Sequence, residues 1–273
     1  MEYSVLMSVY YKEKPQYLKE SMESIYCQTV RTNDFVLVCD GPLSKELYEV
    51  IDDMKNKFND SLNIVQLKEN VGLGNALDTG IKNCKNEIVA RMDSDDIARP
   101  ERCEKQLKCF ENNPELSIVS GTVEEFVDNP KQIYSKRILP SRHEDILEFA
   151  KVRNPFNHPC VMYRKSSVES AGGYQYFYLL EDYFLWIRML MNGNKGMNIE
   201  EPLLWMRAGS DMYKRRGGFK YAISQIKLVA YMKKIKFISF PRYCISTVVR
   251  AGGALLPNTI RKKIYEKKLR KKM

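Results

Sequence analysis

Asp93-Ser94-Asp95-Asp96 follows directly on the apolar stretch Ile88-Val89-Ala90-Arg91-Met92. Carboxylates delivered from the end of a buried strand suit an α/β protein that holds a divalent cation and a phosphate-bearing ligand. Asp93 and Asp95 alternate with Ser94, so on extended backbone their side chains share one side. Acids at a strand end also cap helices, and Asp96 is placed to do so before Pro100. Three acids in four positions exceed what a cap requires. A second acidic pair, Glu181-Asp182, opens a helix-like run to Asn192 in which Leu185, Met189 and Leu190 keep register. Either acid of that pair has chemistry available to it, and compensation of a helix N-terminus is the alternative for Glu181.

Elements able to position these acids are legible upstream. Ser4 to Tyr11 reads as a buried first strand, Phe35 to Cys39 as a second that ends in Asp40-Gly41, and Asn63 to Leu67 as a third. Between strands, Leu47, Val50, Ile51, Met54 and Phe58 recur at helical spacing behind Ser44, a cap residue. A Gly72/Gly74 turn leads into a helix through Ala76, Leu77, Ile81 and Cys84, and the fourth strand delivers the aspartates. After Pro100 the pattern predicts a helix to about Asn113 and a strand over 117–121. This alternation implies βαβ units and a largely parallel sheet as far as Thr122. From Val123 to Pro159 four prolines punctuate a weaker pattern, and loops with short elements are expected there.

A chain of 273 residues buries one substantial α/β core. The net charge of +10 is uneven: residues 211–273 hold 18 Lys and Arg against 2 acids, and the rest holds 26 against 32. Such asymmetry predicts a basic surface that meets an anionic partner, nucleic acid or a membrane face. Seven scattered cysteines with no close pair argue for reduced thiols, against a disulfide frame or zinc site, and for a cytoplasmic setting. No signal peptide is visible, and Lys236, Pro241, Arg242 and Arg250 interrupt the apolar stretch 235–256 that would otherwise suggest a spanning helix.

Ser8-Val9-Tyr10, Asp40-Gly41, Asn70 to Leu77, Ala90 to Asp96, Asn157-His158-Pro159 and Glu181-Asp182-Tyr183 with Leu185-Trp186 and Arg188 stand in one order over about three quarters of the chain. In this the sequence resembles family 2 glycosyltransferases of the GT-A fold, close to bacterial enzymes that build capsule and O-antigen repeat units. The resemblance implies an α/β fold, a GT-A Rossmann-like mostly parallel sheet flanked by helices, plus a basic amphipathic helical C-terminal region. It implies a catalytic domain over 1–210, with a nucleotide-sugar half to about 122 and an acceptor half over 123–210. It implies an inverting transfer from a nucleotide-diphosphate sugar, a UDP-sugar first, to a lipid-linked saccharide. Asp95 with Asp93 would hold Mg2+ or Mn2+. Ser8, Tyr10, Asp40, Gly72, Asn75, Arg91 and Asp93 would serve the nucleotide, Asp40 by accepting the imide N–H of uracil. Arg91 has a second reading as a salt-bridge partner of the aspartates. Asp182 would be the general base, and Glu181, His158 and Trp186 would line the acceptor pocket, with a structural role the alternative for His158 and a place in the core the alternative for Trp186.

Lys214-Arg215-Arg216 before Gly217-Gly218 reads as a basic loop able to close on a diphosphate, or as a membrane-surface patch. Residues 211–273 mix aromatics and aliphatics with Lys and Arg, which suits a peripheral membrane module on the inner face of a bacterial membrane. No nucleic-acid-binding motif is present, so nucleic acid is the weaker partner. A nucleotidyltransferase is the nearest rival reaction, but Tyr11-Lys12-Glu13-Lys14-Pro15 stands where its glycine-rich basic loop belongs.

Overall fold

Four parallel strands make the half of the sheet that the alternating pattern predicts. β1 (Ser4–Val9) lies between β2 (Asp34–Cys39) and β4 (Ile88–Asp93), and β3 (Leu62–Gln66) flanks β2. Leu6, Val36, Val38 and Val89 point to one face, and Val5, Met7, Phe35, Leu37 and Met92 to the other. The second face is covered by α1 (Pro15–Tyr26), α2 (Lys45–Phe58) and α4 (Arg102–Asn112), and the first by α3 (Leu73–Asn83), α6 (Lys165–Ser170) and α7 (Glu181–Met191). Ser44 caps α2, accepting the Leu47 N–H at 3.4 Å. Gly80 stands within α3 where a Cβ would lie 2.7 Å from Val38 Cγ2, so its absence lets the helix sit flush on the sheet. The computed structural model describes residues 1–208 and 216–261, and the backbone of residues 271 and 272.

The remainder of the sheet departs from the parallel expectation. β8 (Met162–Arg164) runs antiparallel between β4 and β6 (Leu116–Phe126). β6 extends past the predicted strand and pairs with β7 (Ser135–Arg137) on one edge and with β9 (Lys195–Arg207) on the other. β9 then pairs antiparallel with β5 (Ile97–Ala98), which follows β4 after only residues 94–96. Along the sheet, however, β4 and β5 are separated by β8, β6 and β9. A mixed sheet with these neighbours must curl into a half-barrel, and register shifts at Leu116/Ile118, Gly121/Thr122 and Thr122/Val123 supply the bend. The curl brings the end of β9 back to the acidic turn.

The helices beyond β9 share the main core. α8 (Phe219–Lys234) buries Leu228, Val229 and Met232 in the cluster that holds Leu185 and Met189 of α7. α9 (Phe240–Leu255) packs along α8, and α5 (His143–Ala150) adds Ile146 and Ala150 to the same cluster. The expected domain boundary near Ser210, and Lys214 and Arg215 of the basic loop, lie outside the described residues.

Candidate active site

The acidic turn stands at the C-terminal ends of the parallel strands, with Ser8 of β1 in register with Asp93 of β4. Carboxylate oxygens of Asp93, Asp95 and Asp96 lie within 4.8 Å of one another. The turn is gripped from three directions. Ser21 Oγ on α1 donates to the Asp93 carbonyl at 2.7 Å, and Ser94 Oγ donates to Glu13 Oε2 at 2.5 Å. From the end of β9, the Arg207 N–H donates to Asp96 Oδ1 at 2.8 Å and its Nε donates to the Asp95 carbonyl at 3.0 Å. Arg207 is itself fixed by Glu20 Oε2 at 2.6 Å. Asp96 is therefore a strand-to-turn clamp, and α4 is not capped by it.

Charge is poorly balanced in this cluster. Burial, then the neighbouring Asp93 and Glu13, push the Asp95 carboxyl up to about 7. Burial also lifts Asp96 well above the carboxylate range, and its buried Oδ2 lacks a hydrogen-bond partner among the described residues. Arg91, buried beneath the turn, pairs with Asp93. Close hard oxygen donors carrying more negative charge than one guanidinium offsets fit Mg2+ or Mn2+, which bind through one or two carboxylates and a ligand's phosphates.

Beside the turn, Asp40 organises the loop that opens α3. Its Oδ1 accepts the Val71 N–H at 2.7 Å, and its Oδ2 accepts the Gly72 N–H at 3.1 Å and Asn70 Nδ2 at 3.0 Å. Burial raises its pKa and these N–H groups oppose the rise. Three accepted bonds leave about one of the roughly four acceptor sites of a carboxylate. Asn75 Nδ2 donates to the Val71 carbonyl at 3.0 Å, and Gly72 holds φ at 85°, a conformation that favours glycine. Tyr10 is exposed at the tip of β1 against the edge of Tyr11.

Glu181 and Asp182 occupy the first turn of α7. Asp182 Oδ2 accepts Asn154 Nδ2 at 2.6 Å and Oδ1 accepts the Tyr183 N–H at 2.6 Å. Burial raises the Asp182 pKa, against those two bonds and the charges of Arg137 and Arg216. Burial, then Asp182, push Glu181 up to about 7, and the charges of Arg91 and Asp93 reach it too. A Cβ on Gly74 would come within 3.3 Å of Glu181 Cβ, so the start of α3 abuts the start of α7. Acidic turn, Asp40 loop and Glu181-Asp182 thus share one region at the strand ends.

The sequence matches the model of glycosyl transferase family 2 over residues 4–172. The chain belongs to glycosyl transferase family 2. It is 40% identical over 265 residues to the amylovoran biosynthesis glycosyltransferase AmsE of Erwinia amylovora, covering 97% of this chain and 98% of that protein. It is also 40% identical over 270 residues to the UDP-Gal:alpha-D-GlcNAc-diphosphoundecaprenol beta-1,3-galactosyltransferase of Escherichia coli, covering 99% and 97%. In fold it is similar to S. aureus TarS 1-349 in complex with UDP-GlcNAc, with a TM-score of 0.67 at 16% identity over 98% of this chain and 76% of that one. The protein is a glycosyltransferase related to bacterial capsule and O-antigen enzymes.

For Trp186 and His158 the burial agrees with the core and structural readings of these two residues. Trp186 is 0% exposed and His158 only 8%. They meet edge to face at 5.9 Å, and His158 Nε2 lies 3.0 Å from the Tyr174 hydroxyl. Burial and the nearby Arg91 hold the imidazole well below its usual pKa, so it is neutral and cannot present charge to a ligand. Trp186 is one turn from Asp182 and faces inward with Tyr183 and Met189, so a sugar cannot stack on it. Arg91 fits the salt-bridge reading, because its described ion pair is with Asp93. Glu13, Ser21, Asn154 and Arg207 went unpredicted; each acts across 28 to 112 residues of sequence, which local pattern does not encode.

Proposed function

We propose that this glycosyltransferase moves one sugar, with inversion, from a nucleotide-diphosphate sugar to a hydroxyl of a lipid-linked glycan in the making of a cell-surface polysaccharide. The observation that carries the proposal is the meeting of two carboxylate sets at the strand ends: the acidic turn after β4, and Glu181-Asp182 in the first turn of α7, which abuts the start of α3. One set suits a cation and a diphosphate, and the other suits proton removal. The activity named for the Escherichia coli relative, transfer from UDP-Gal to a GlcNAc-diphosphoundecaprenol, supports both substrate classes.

In this reading Asp182 accepts the acceptor hydroxyl proton, aided by a pKa lifted toward the working range. The hydroxyl oxygen attacks the anomeric carbon as its bond to the nucleotide diphosphate breaks, and in-line displacement inverts that carbon. Mg2+ or Mn2+, held by Asp93 and Asp95, would supply Lewis-acid neutralisation of the leaving diphosphate. Such a role is in keeping with the GDP-Man and Mn2+ complex of the Pyrobaculum calidifontis mannosyltransferase, similar in fold at a TM-score of 0.65. Asn154 fixes the carboxylate of the base and Asp40 shapes the nucleotide loop, its remaining acceptor site free for a uracil imide. Tyr10 and Ser8 are the wall for base and ribose, with Gly72 and Asn75 shaping the loop opposite.

A lipid-linked acceptor requires access to a membrane surface. α9 turns Ile245, Val248 and Val249 outward at 65%, 73% and 65% exposure, with Phe240 beside them. Arg242 of α9 and Lys233 and Lys234 of α8 supply the cations for an anionic leaflet. Among the described residues no helix is long and apolar enough to cross a membrane, so we assign α8 and α9 a peripheral mode of contact.

The test is product analysis with the purified chain, Mn2+, a panel of UDP-, dTDP- and GDP-sugars and a diphosphate-linked N-acetylglucosaminyl lipid. One added sugar with inverted anomeric configuration is expected. Retention of configuration, or no product from any donor, would overturn the proposal.

A further inference from the structure

The segment that holds the base is bracketed by arginines. Asn154, the partner of Asp182, has its carbonyl bonded by Arg137 Nη2 of β7 at 3.3 Å. Two residues earlier, the Val152 carbonyl accepts Arg250 Nη2 of α9 at 2.7 Å. The same Arg250 nitrogen reaches the Tyr183 hydroxyl, next in sequence to Asp182, at 2.9 Å. Arg153 lies between the two anchor points, its guanidinium 5.5 Å over the Phe149 ring. All three guanidinium-bearing residues are partly exposed. Among the described residues the hydrogen bonds of Arg250 end on Val152, Tyr183 and Gln225 oxygens, none of them a carboxylate, so its charge is available to an anion. Arg137 lies close enough to Asp182, and Arg153 and Arg250 to Tyr183, for their charges to oppose the rise that burial gives those groups.

We propose that Arg137, Arg153 and Arg250 form a binding site for a diphosphate, that of the acceptor, placed between the base and the outward apolar face of α9. The inference rests on the reading of Asp182 as the base of a transfer to a lipid-linked sugar. Its second support is order. A lipid-linked acceptor runs from sugar to diphosphate to hydrocarbon. In the protein one helix serves both ends: α9 presents Val248 and Val249 outward and, through Arg250, reaches the Val152 carbonyl and the Tyr183 hydroxyl beside Asp182. Guanidinium groups bind phosphate oxygens through paired N–H donors, and several around one site hold the two charges of a diphosphate diester better than a single cation would. Bound there, the acceptor brings its terminal sugar hydroxyl to the base without any contact that specifies the sugar itself. The donor's diphosphate is the other source of the same chemistry, and it belongs at the acidic turn.

The test uses the full chain and two acceptors, N-acetylglucosamine linked through a diphosphate to a short alkyl chain and the neutral alkyl glycoside of the same sugar. In Arg137→Gln, Arg153→Gln and Arg250→Gln, the ratio of kcat/KM for the diphosphate acceptor over the neutral one should fall about ten-fold or more. Arg250→Lys should recover part of that ratio, since the charge persists while the forked donors are lost. An unchanged ratio overturns the site. So does a parallel loss in the melting-point shift given by UDP, which would assign the arginines to the donor. Inorganic diphosphate in EDTA provides a reading that needs no turnover. It should raise the melting point of the parent chain and much less that of Arg137→Gln or Arg250→Gln, and no shift in the parent overturns the proposal. If the parent transfers sugar to neither acceptor yet keeps that shift, the proposed function fails and the diphosphate site stands.

Discussion

Arg207 donates its backbone N–H to Asp96 Oδ1 at 2.8 Å, across 111 residues of sequence. Through that bond the last residue of β9 sets the position of a turn that begins at the end of β4. The curled sheet is what makes the meeting possible. Replacing Arg207 by Ala removes the Nε bond to the Asp95 carbonyl and the tie to Glu20, while the backbone bond remains. Residues that orient metal ligands typically matter ten- to a hundred-fold in affinity. A Mn2+ titration of Arg207→Ala, read by melting point in the presence of UDP, should therefore show metal affinity weakened by about ten-fold.

The raised acid pKa values predict an unusual pH dependence for the metal-free protein. In the unfolded chain Asp95 ionises near its ordinary value of about 4, and in the folded chain at about 7. Between those values the folded state binds more protons, so this group's contribution to stability is lost as pH rises through 7. Melting curves in EDTA should show stability falling from pH 5 to pH 8, and Mn2+ should reverse the trend. Asp95→Asn should raise the metal-free melting point at pH 8 and abolish the response to Mn2+.

Packing beneath the site is equally specific. Gly80→Ala would place a Cβ 2.7 Å from Val38 Cγ2 and in conflict with Leu6, forcing α3 off the sheet. Overpacking of this kind costs about 1–3 kcal/mol. Urea denaturation should show that loss, despite the better helix propensity of Ala.

On α9, the exposure of Val248 and Val249 predicts a membrane phenotype separable from folding. Val248→Glu with Val249→Glu should leave the melting point within about a degree, as surface changes usually do. Co-sedimentation with anionic vesicles should fall sharply, because charges are placed where apolar surface enters the lipid. Unchanged vesicle binding would move the membrane contact to another surface.

Much of the nucleotide-side architecture is legible in the sequence, because β1, β2 and β4 are short apolar runs buried on both faces and α2 carries a single apolar stripe behind Ser44. The acidic turn is legible as a position, since strand ends in parallel sheets gather at one edge. The curl is not. β8 is a three-residue strand and β9 alternates with bulges, so neither gives a periodic signal strong enough to reveal antiparallel pairing beside β4. The inward turn of Trp186 and His158 was one of two readings open to the sequence: aromatic residues next to a polar site suit a pocket wall and a core equally, and the packing of Phe156, Tyr163 and Tyr174 favours the core. Asp96 looked like a cap because its partner, the Arg207 N–H, lies in a strand the pattern did not show.

The most direct measurement of the central claim compares Asp182→Asn with the parent chain for turnover and for UDP-induced melting shift in the same preparation. The variant keeps the side chain's shape but cannot accept the hydroxyl proton. A kcat lowered by about a hundred- to ten-thousand-fold, with the UDP and Mn2+ shift retained, is the predicted result. In the parent chain kcat should also decline as pH falls through the raised pKa of this carboxyl, above the usual aspartate range. A variant that turns over at the parent rate, with its nucleotide response intact, would contradict the assignment of Asp182 as the base and the account of the site built around it.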